Sequence, residues 1–525
     1  MPTSPRSKKI GRSLLTSLLL VIILCPDAPA QTAASARRRT PVASAEARAA
    51  RYFESARSQP LLLAAFLRRM PKGADLHNHL SGAIYAESYV RWAAESNLCV
   101  STTTFALSAA PCDEAAGRTP VSRALTDPLL YRQLIDAWSM RNWELSGQSG
   151  HDHFFDTFGK FGAASATRTA EMLAEALARA AAERLSYLEL MYTPDGGRSS
   201  QLGRQTGWND DFGVMRERLL AAGLREALDA GTRALAEAEQ TARTLLKCGT
   251  SQPDAGCGVT VRYVFQVGRA AAREQVFAQM LAAFEMAERD PRIVALNLVQ
   301  PEDWLVPMRD FRLHMRMLNY LRPLYRKAHI TLHAGELAPG LVPPEELRYH
   351  IRESVSTGHA ERIGHGVAVM YEDDPFRLLD ELARRRVLVE VCLTSNDVIL
   401  GVRGTRHPLA LYLKHGVPVA LATDDLGVAR SDMTREYLKA AEEQGLGYMQ
   451  LKAFARASLE HSFVGGASLW RDARRLVMVD ACADARPENG APAAREACRQ
   501  LLAGSEKARL QWELERAFAE FEREF

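Results

Sequence analysis

The chain has no long apolar run after its first thirty residues, and it has no excess of either charge. A helix that spans a bilayer needs about 18 to 20 mostly apolar residues, and no such stretch follows residue 30. The chain holds 66 basic and 63 acidic residues, and removing the four bases and one acid of the first thirty leaves 62 of each. No nucleic-acid partner is therefore expected, since such partners usually require a basic surplus.

The first thirty residues have the layout of a secretory signal peptide. Four basic residues precede an apolar run at 14–24, and small residues follow it. The run is too short for a stable membrane anchor. We therefore predict a signal peptide at 1–30 and an exported protein, periplasmic or secreted, with no stable anchor after cleavage. The alternative is a lipoprotein attached through Cys25, but Leu24 stands where a small residue is expected.

Seven of the eight cysteines follow this segment, and six of them fall in close couples. In an oxidising compartment such couples favour local disulfides, although sequence alone does not prove connectivity. The seventh, Cys392, lies in an apolar run that is predicted to be a buried strand. The predicted pairs are Cys99 with Cys112, Cys248 with Cys257, and Cys482 with Cys498.

Short apolar runs alternate with longer amphipathic stretches after an N-terminal arm and helix at 31–69. This alternation is typical of βα units around a parallel sheet. Eight runs can be counted, and eight parallel strands close a TIM (β/α)8 barrel, whereas a doubly wound sheet needs no eighth strand. The predicted strands are 74–77, 186–192, 259–267, 293–299, 330–333, 362–365, 387–393 and 417–422.

Two regions exceed what a minimal barrel needs. Within a barrel domain at 70–470, the connection at about 99–165 is predicted to be a helical lid over the mouth. Residues 471–525 are predicted to be a C-terminal helical segment that ends in one amphipathic helix from Glu506 onwards.

Polar residues of one chemical kind follow the predicted strands. His77 and His79 lie at the end of the first strand, where a two-residue period puts both imidazoles on one face. His333 ends the fifth strand and Asp424 follows the eighth. Three histidines and an aspartate satisfy a catalytic zinc ion and leave a position for water. Because the C-terminal strand ends of a barrel meet at one mouth, we expect these residues to converge on one zinc per chain.

Three further residues are predicted to carry the proton transfers. Zinc lowers the pKa of its bound water to about 7, and His365, at the sixth strand end, is placed to take the water's proton or to hold the hydroxide. Glu336, three residues after His333, is placed to protonate a ring nitrogen, and Asp425 to orient the water. Each residue alone has a structural explanation: His365 could lie in a turn, Glu336 could be a solvated carboxylate and Asp425 could cap a helix. The occurrence of all three after strand ends favours catalysis.

Five motifs occur in the order that is typical of one enzyme family. They are PKGADLHNHL at 71–80, HAGE at 333–336, RIGHG at 362–366, LTSN at 393–396 and TDD at 423–425. Over about 70–440 the chain therefore resembles the adenosine deaminase family of metal-dependent hydrolases. The resemblance implies deamination of adenosine, and of 2′-deoxyadenosine, to inosine and ammonia. It also implies that His77, His79, His333 and Asp424 bind zinc, that Glu336 protonates N1 of the purine, and that His365 and Asp425 manage the water.

The predicted lid carries a second resemblance. DAWSMR at 136–141 and GHDHFF at 150–155 are similar to secreted adenosine deaminase-related growth factors and their bacterial relatives. We interpret His151 and His153 as polar lid contacts in preference to a second metal site, because Asp152 is the one nearby residue that would add to a ligand set.

Two substrate positions depart from the family pattern. Ser81 stands where better-known members carry an aspartate that holds the ribose, and Gln300 stands where a glycine offers its amide to the purine. Both are predicted to bind substrate. The expected ligand is a small purine nucleoside without phosphate, since the chain has no glycine-rich phosphate loop and no basic cluster among its strand-end motifs.

Two alternatives to an adenosine deaminase stay open. The first is deamination of another 6-aminopurine, which Ser81 and Gln300 allow. The second is an extracellular adenosine-binding or signalling protein on the same fold, because a barrel by itself does not define a reaction. The sequence gives no oligomeric state.

Overall fold

A computed structural model describes residues 44–484, 487 and 495–525. The predicted signal peptide at 1–30 and the arm up to residue 43 lie outside the described residues. The strands are β1 (Gly73–His79), β2 (Cys99–Ser101), β3 (Leu107–Ser108), β4 (Arg118–Pro120), β5 (Leu185–Tyr192), β6 (Thr260–Gly268), β7 (Ile293–Val299), β8 (His329–Ala334), β9 (Arg362–His365), β10 (Leu388–Val391), β11 (Val419–Leu421), β12 (Trp470–Asp472) and β13 (Val477–Met478).

Nineteen α-helices occur in the described part of the chain. Each strand of the central sheet is followed by at least one of them, as βα units require. They are α1 (Ala45–Ala56), α2 (Pro60–Arg69), α3 (Ala86–Glu95), α4 (Pro128–Ala137), α5 (Gly150–Ser165), α6 (Thr169–Ala182), α7 (Arg198–Thr206), α8 (Phe212–Ala221), α9 (Leu224–Leu245), α10 (Arg273–Arg289), α11 (Leu305–Leu321), α12 (His350–Ser356), α13 (Pro375–Arg385), α14 (Leu393–Leu400), α15 (Leu409–Lys414), α16 (Met433–Glu442), α17 (Tyr448–Glu460), α18 (Glu496–Gly504) and α19 (Glu506–Glu522).

Eight parallel strands form the predicted (β/α)8 barrel. Their order is β1-β5-β6-β7-β8-β9-β10-β11, and each overlaps one predicted strand. Beyond β11 the chain meets β1 again, where the Asp424 amide donates to the His77 carbonyl (2.8 Å) and the His79 amide donates to the Asp424 carbonyl (3.2 Å). These bonds join the first and last strands at the mouth. The fold prediction is thus confirmed.

The outer helices bury alanine-rich faces against the strands. In α10 every residue at 276–287 is buried, because this helix packs on β6 and β7 and is covered by α7. A helix that is enclosed on several sides needs small and apolar residues all round. The hydrophobic core therefore lies between the strands and this helical layer.

The segment 99–165 holds the helices α4 and α5 and also a small antiparallel sheet of order β3-β2-β4. The sequence analysis did not predict this sheet, because strands of two or three residues carry too little alternation to be recognised. The helix α5 begins after Ser149, whose hydroxyl accepts from the Asp152 amide (3.0 Å) and so caps the first turn.

The three predicted disulfides are confirmed. They join Cys99 to Cys112, Cys248 to Cys257, and Cys482 to Cys498. Each closes a local loop of 13, 9 or 16 residues, and Cys392 is free and buried directly after β10. The pairs therefore fasten loops outside the barrel strands.

The N-terminal and C-terminal helices pack against each other beside the barrel. The Phe66 ring of α2 lies 4.9 Å from that of Phe521 in α19 and 5.0 Å from that of Phe525. The predicted C-terminal helix corresponds to α19, but the segment 471–525 also contains part of the β12–β13 hairpin. No helix of the described residues is long and apolar enough to cross a membrane.

Candidate active site

The four residues predicted as metal ligands converge at the mouth of the barrel. His77 and His79 lie in β1, His333 lies in β8, and Asp424 follows β11. The Nε2 atom of His333 is 3.1 Å from His77 Nε2 and 3.2 Å from His79 Nε2. Asp424 Oδ1 is 3.5 Å from His77 Nε2 and 3.3 Å from His79 Nε2. All four side chains are buried, and each donor atom lies within 3.5 Å of two others.

The second ring nitrogen of each histidine has its own partner on another barrel strand. Two of these partners present an oxygen, so Nδ1 donates its hydrogen and Nε2 keeps a lone pair towards the cluster. The sequence analysis missed all three partners. They are Glu390 for His77 (2.7 Å), Asn297 for His333 (2.9 Å) and the Gln266 side-chain amide for His79 (2.9 Å). His79 offers the Nε2 lone pair to a metal when the Gln266 amide is turned so that its oxygen faces Nδ1.

This donor set fits a divalent metal ion. Lone pairs and a carboxylate held this close repel one another unless a cation lies between them. Ligands at bond lengths of about 2.0 to 2.2 Å form a tetrahedron with edges of about 3.3 to 3.6 Å, close to the observed separations. Asp424 Oδ1 is buried and has no hydrogen-bond donor among the described residues. Although burial opposes it, the carboxylates of Asp424 and Glu390 raise the pKa of His77 to about 10, so this position attracts a positive charge, either a proton or a metal ion.

His365 ends β9 and directs one ring nitrogen at the same cluster. Burial lowers the pKa of His365 to about 3 and that of His407 to about 4, so both rings are neutral at pH 7. The Leu409 amide donates to His407 Nδ1 (3.1 Å), so His407 carries its hydrogen on Nε2 and donates to Asn396 Oδ1 (3.1 Å). This bond fixes the amide, whose Nδ2 donates to His365 Nδ1 (2.9 Å). His365 therefore carries its hydrogen on Nε2, 3.9 Å from Asp424 Oδ2.

Glu336 follows β8 and is held through its backbone. Its amide donates to Glu302 Oε2 (2.9 Å), and Glu302 in turn accepts from His350 Nδ1 (2.5 Å). The carboxyl oxygen Oε1 of Glu336 is buried without a partner in the described part of the chain. Burial and the charge of Asp424 raise the pKa of Glu336 well above its usual range. Its side chain is therefore suited to carry a proton at neutral pH.

Two glycines leave room for side chains of the site. A Cβ on Gly82 would lie 1.5 Å from Asp425 Oδ1, and a Cβ on Gly364 would lie 2.5 Å from His77 Cε1. Asp425 Oδ1 is buried and has no partner among the described residues. Burial and the adjacent charge of Asp424 raise the pKa of Asp425 well above its usual range. The Asp425 carboxyl thus occupies space that only a glycine leaves free.

A buried ion-pair network lies beneath the cluster. Arg362 donates from Nε to Glu390 Oε1 (2.6 Å) and from Nη2 to Glu189 Oε2 (2.5 Å). Its guanidinium also lies 3.8 Å from the centre of the Phe463 ring. Both carboxylates have partners on both oxygens, including His77 on Glu390. This network, which the sequence analysis missed, holds a metal-ligand candidate from below.

A cavity of 680 Å³ lies between the cluster and the lid. The helix α5 contributes three aromatic rings to its wall, and the loop after β7 contributes Trp304. No cavity-lining residue in the described part of the chain is a lysine or an arginine. The predicted site residues that line it are His79, Ser81, Gln300, His333, Glu336, Asp424 and Asp425.

The two histidines of the lid make polar contacts. His151 Nε2 lies 3.1 Å from Asp303 Oδ1, and His153 Nε2 lies 3.1 Å from the Ser139 carbonyl. Although burial opposes it, hydrogen bonds to Asp303 and Asp152 raise the pKa of His151 to about 9. The lid helix is therefore tied to the loop after β7 by a charged pair. Neither histidine belongs to a potential metal-ligand group among the described residues.

The two predicted substrate positions both lie at the cavity wall. The Ser81 carbonyl accepts from the Tyr89 hydroxyl (2.6 Å). Gln300 has a backbone φ of +81°, in the region that favours glycine. Its side-chain oxygen accepts from the Ala270 amide (2.9 Å), so this end of the side chain is already engaged.

The family assignment comes from comparison with known proteins. A family profile described as adenosine deaminase matches residues 146–469. The chain belongs to the adenosine deaminase family. The matched range includes His333, Glu336, His365, Asp424 and Asp425 but begins after β1. Curated adenosine deaminases are similar to parts of this family member: one from Klebsiella pneumoniae is 42% identical over 138 residues, and one from Escherichia coli is 37% identical over 192 residues.

The similarity to these relatives is local. The aligned part covers 26% of the chain and 38% of the Klebsiella protein, and 36% of the chain and 52% of the Escherichia coli protein. Among solved structures, arabidopsis ADAL complexed with IMP has a TM-score of 0.50 at 21% identity. That match covers 76% of this adenosine deaminase family member and 93% of the other chain. At this identity the likeness supports the fold alone.

Proposed function

We propose that the chain is a zinc-dependent hydrolytic deaminase that converts adenosine, and 2′-deoxyadenosine, to inosine and ammonia. The observation that carries this proposal is the position of Glu336. Its buried carboxyl, with a raised pKa, lies at the same cavity as a cluster of three histidines and an aspartate. An acid that keeps its proton beside a metal-binding cluster suits protonation of a purine ring during hydrolysis. Family membership supports the same reaction class.

The metal would be held by His77, His79, His333 and Asp424. Their donor types and separations suit zinc, and the partners on the second ring nitrogens orient the imidazoles. When bound, zinc supplies a Lewis acid that makes water nucleophilic near neutral pH. One ion per chain is expected.

The remaining site residues move protons around the attacking water. Glu336 donates its proton to N1 of the purine while the water oxygen forms a bond to C6. Asp425, which lies beside Asp424, would be ionised by the charge of a bound cation, so it accepts a proton from that water. His365 donates from Nε2 to the water oxygen. One proton of the water passes through Asp425 to the amino group, which leaves the tetrahedral carbon as ammonia. The other leaves the C6 oxygen as the C6=O bond of inosine forms and returns to Glu336, whose own proton stays on N1. Of the two roles predicted for His365, this tautomer favours holding the hydroxide over removing the proton.

The charge of the cavity favours a nucleoside without phosphate. Asp152 and Asp156 line it together with the acids of the site, and no lysine or arginine does so among the described residues. A phosphate group would meet no lysine or arginine among the described lining residues, and the charged His151 is already paired with Asp303. The apolar wall formed by α5 is suited to a purine and its sugar.

We also propose that the enzyme acts after export. The charged and apolar layout of residues 1–30 supports a signal peptide, and three disulfides are typical of an oxidising compartment. Cell fractionation of the full chain and of a variant that lacks residues 1–30 tests this. Cytoplasmic retention of the full chain would contradict it.

The deaminase proposal is tested by the ultraviolet absorbance of adenosine mixed with zinc-loaded protein that lacks residues 1–30. We expect adenosine turnover that Glu336→Gln lowers about 10³-fold while the zinc content stays at one per chain. AMP, in a parallel assay, is expected to turn over far more slowly.

Each alternative predicts a different outcome of that assay. Turnover of adenine or a modified nucleoside, without turnover of adenosine, would replace the substrate and keep the reaction. Saturable adenosine binding without ammonia release would replace the enzyme by a binding protein. Zinc-loaded protein that neither binds nor converts any aminopurine would overturn the proposal.

A further inference from the structure

A second cavity, of 570 Å³, lies at the other end of the barrel. Its wall includes His329 and Arg362, which begin β8 and β9, and Val387, which precedes β10. The turn after α17 and one residue of α19, Lys507, complete it. Parallel strands run from this end towards the mouth, so the cavity is separate from the candidate active site. We name it the basic cavity.

The basic cavity is lined by more cations than carboxylates. Four lysine or arginine side chains contribute to it, and its two carboxylates are Glu361 and Glu460. Glu361 accepts from His329 Nδ1 (2.9 Å). Glu460 accepts from two neutral groups through Oε2, and its Oε1 approaches Arg386 only to 3.7 Å. Arg362 and Arg385 are paired with carboxylates outside the wall, namely Glu189, Glu390 and Glu381. The lining cations without a close carboxylate are therefore Arg386 and Lys507.

Lys507 is the clearest case of an uncompensated cation. Its Nζ donates to the carbonyls of Ser462 (2.8 Å) and Glu460 (3.2 Å). Within the part of the chain that the structure describes, it forms no ion pair with a carboxylate. Burial lowers the pKa of Lys507. An ammonium group with two neutral acceptors keeps one hydrogen for a further partner.

His461 presents a second donor group to the same space. In the described residues neither of its ring nitrogens has a hydrogen-bond partner. Burial lowers the pKa of His461 to about 3, helped by the charges of Arg386, Arg362 and Lys507. The ring is thus neutral, and an anion in the same space would be attracted by the charges of Lys507 and Arg386.

The wall of the basic cavity is rigid where the strands begin. The Phe463 ring lies 4.4 Å from the His329 ring at an angle of 4° between their planes. The same ring lies against the Arg362 guanidinium, which is bound by two carboxylates. A site whose donors are fixed before a ligand arrives loses less entropy on binding.

We propose that the basic cavity binds a small multivalent oxyanion that carries phosphate or carboxylate groups. The free hydrogen of Lys507, the loosely paired Arg386 and the His461 ring are its donors. Charge-assisted hydrogen bonds to such an anion are about twice as strong as neutral ones. The volume of the cavity admits a molecule larger than one inorganic ion. This proposal is independent of the deamination reaction.

The test is isothermal titration of the purified chain with sodium sulfate, sodium phosphate and sodium citrate at constant ionic strength. We expect saturable binding of sulfate at one site per chain. Competition then separates the sources, because a phosphate ligand predicts tighter binding of phosphate and a carboxylate ligand tighter binding of citrate. Absence of saturable binding by all three anions overturns the proposal.

Two variants locate the site. Lys507→Gln removes the ammonium and should raise the Kd for sulfate about tenfold or more, as the loss of a charged hydrogen bond implies. Arg386→Asn keeps a residue that tolerates the backbone φ of +57° and should weaken binding similarly. Arg386 is 43% exposed in its side chain, so this variant is expected to fold even if Lys507→Gln does not.

A matched control removes a cation elsewhere. Arg309 pairs only with its neighbour Asp310 among described acids, and it lines neither cavity. Arg309→Gln should leave the sulfate Kd unchanged. Unchanged affinity in both test variants, or an equal loss in the control, would show that sulfate binds elsewhere and would overturn the proposal.

Discussion

Buried charged groups are paired differently at the mouth of the barrel and in the network of Arg362, Glu189 and Glu390 beneath it, which we call the floor. At the floor, the Glu189 and Glu390 carboxylates have partners on every oxygen, and Arg362 bridges them. At the mouth, buried atoms of Glu336 and Asp425 have none among the described residues. The two regions are separated by one layer of side chains, because Glu390 binds both Arg362 and His77.

This difference separates groups that hold the structure from groups that are free to react. Buried polar atoms in folded proteins are nearly always hydrogen-bonded, so several unpaired atoms in one place need an explanation. A network in which every polar atom has a partner fixes the positions of its side chains. Donors and acceptors without a partner can bind substrate, water or metal. The predictions below test whether the mouth governs turnover while the floor governs stability.

The largest effect is expected from Glu336→Gln at the mouth. The amide keeps the shape of the side chain but has no proton to donate at the pKa of a carboxyl, so kcat should fall about 10³-fold. Zinc content and melting temperature should stay close to those of the parent protein. Steady-state assays with metal analysis check this, and a variant with normal kcat would remove Glu336 from the proton transfer.

The next effect is expected from Arg362→Met at the floor. It leaves two buried carboxylates without their shared cation, which should lower the free energy of unfolding by about 3 to 5 kcal/mol. Urea unfolding followed by circular dichroism measures this.

The control for the floor is Arg312→Met, which breaks an exposed pair with Glu353 at 2.8 Å. Surface pairs contribute about 0 to 1 kcal/mol, so this variant should unfold almost as the parent does. Equal losses in Arg362→Met and Arg312→Met would contradict the distinction between floor and surface.

A smaller effect, on zinc affinity, is expected from Asn297, which binds the metal-ligand candidate His333. Asn297→Ala removes the acceptor of His333 Nδ1 and should weaken zinc binding about 10- to 100-fold. Asn297→Asp keeps an oxygen at that position and should retain most of the affinity. Competition with a chelating dye measures both, and equal zinc affinity in the alanine variant would show that the Asn297 bond is dispensable.

The smallest effect is expected from His407→Phe, two hydrogen bonds away from the cluster. Without the His407 donor the Asn396 amide can turn over, and His365 loses its single tautomer. We expect kcat to fall about tenfold, which is less than the loss of about 10²- to 10⁴-fold on removing a direct acid or base, with KM unchanged. Nitrogen NMR of labelled histidine should show a mixture of tautomers for His365.

The hydrogen bonds from His407 to Asn396 and from Asn396 to His365 form a relay, and the matched control for it is His415→Phe. His415 pairs with the exposed Asp380 at 3.0 Å and takes no part in the relay. The kcat of His415→Phe and the NMR signals of His365 in this variant should match those of the parent protein. A single unchanged tautomer of His365 in His407→Phe would rule out the relay.

The barrel and most of the catalytic cluster could be predicted from the sequence. Each barrel strand is an apolar run that is followed by polar residues. The change from apolar to polar residues therefore marks the C-terminal end of each strand in the sequence. The convergence of His77, His333 and Asp424 then follows from barrel geometry. The disulfide pairs were equally local, since each joins cysteines within 16 residues.

The supporting residues could not be predicted because their partners are distant in sequence. Glu390 stands alone in an apolar strand, which indicates a buried partner but does not name Arg362 or His77. Asn297 and Glu302 act through bonds to loops that only the folded barrel brings near. The small sheet in the lid escaped for another reason, since its strands are too short to show a period.

The space left by Gly82 also has a meaning for mutational tolerance. Any side chain there would meet the Asp425 carboxyl, since even a Cβ would lie 1.5 Å from Oδ1. In a saturation library selected for turnover, position 82 should therefore be as restricted as Asp425 itself, although glycine has no group that reacts. A map of tolerated substitutions would therefore show position 82 to be as intolerant as a catalytic position, although the requirement there is only for empty space.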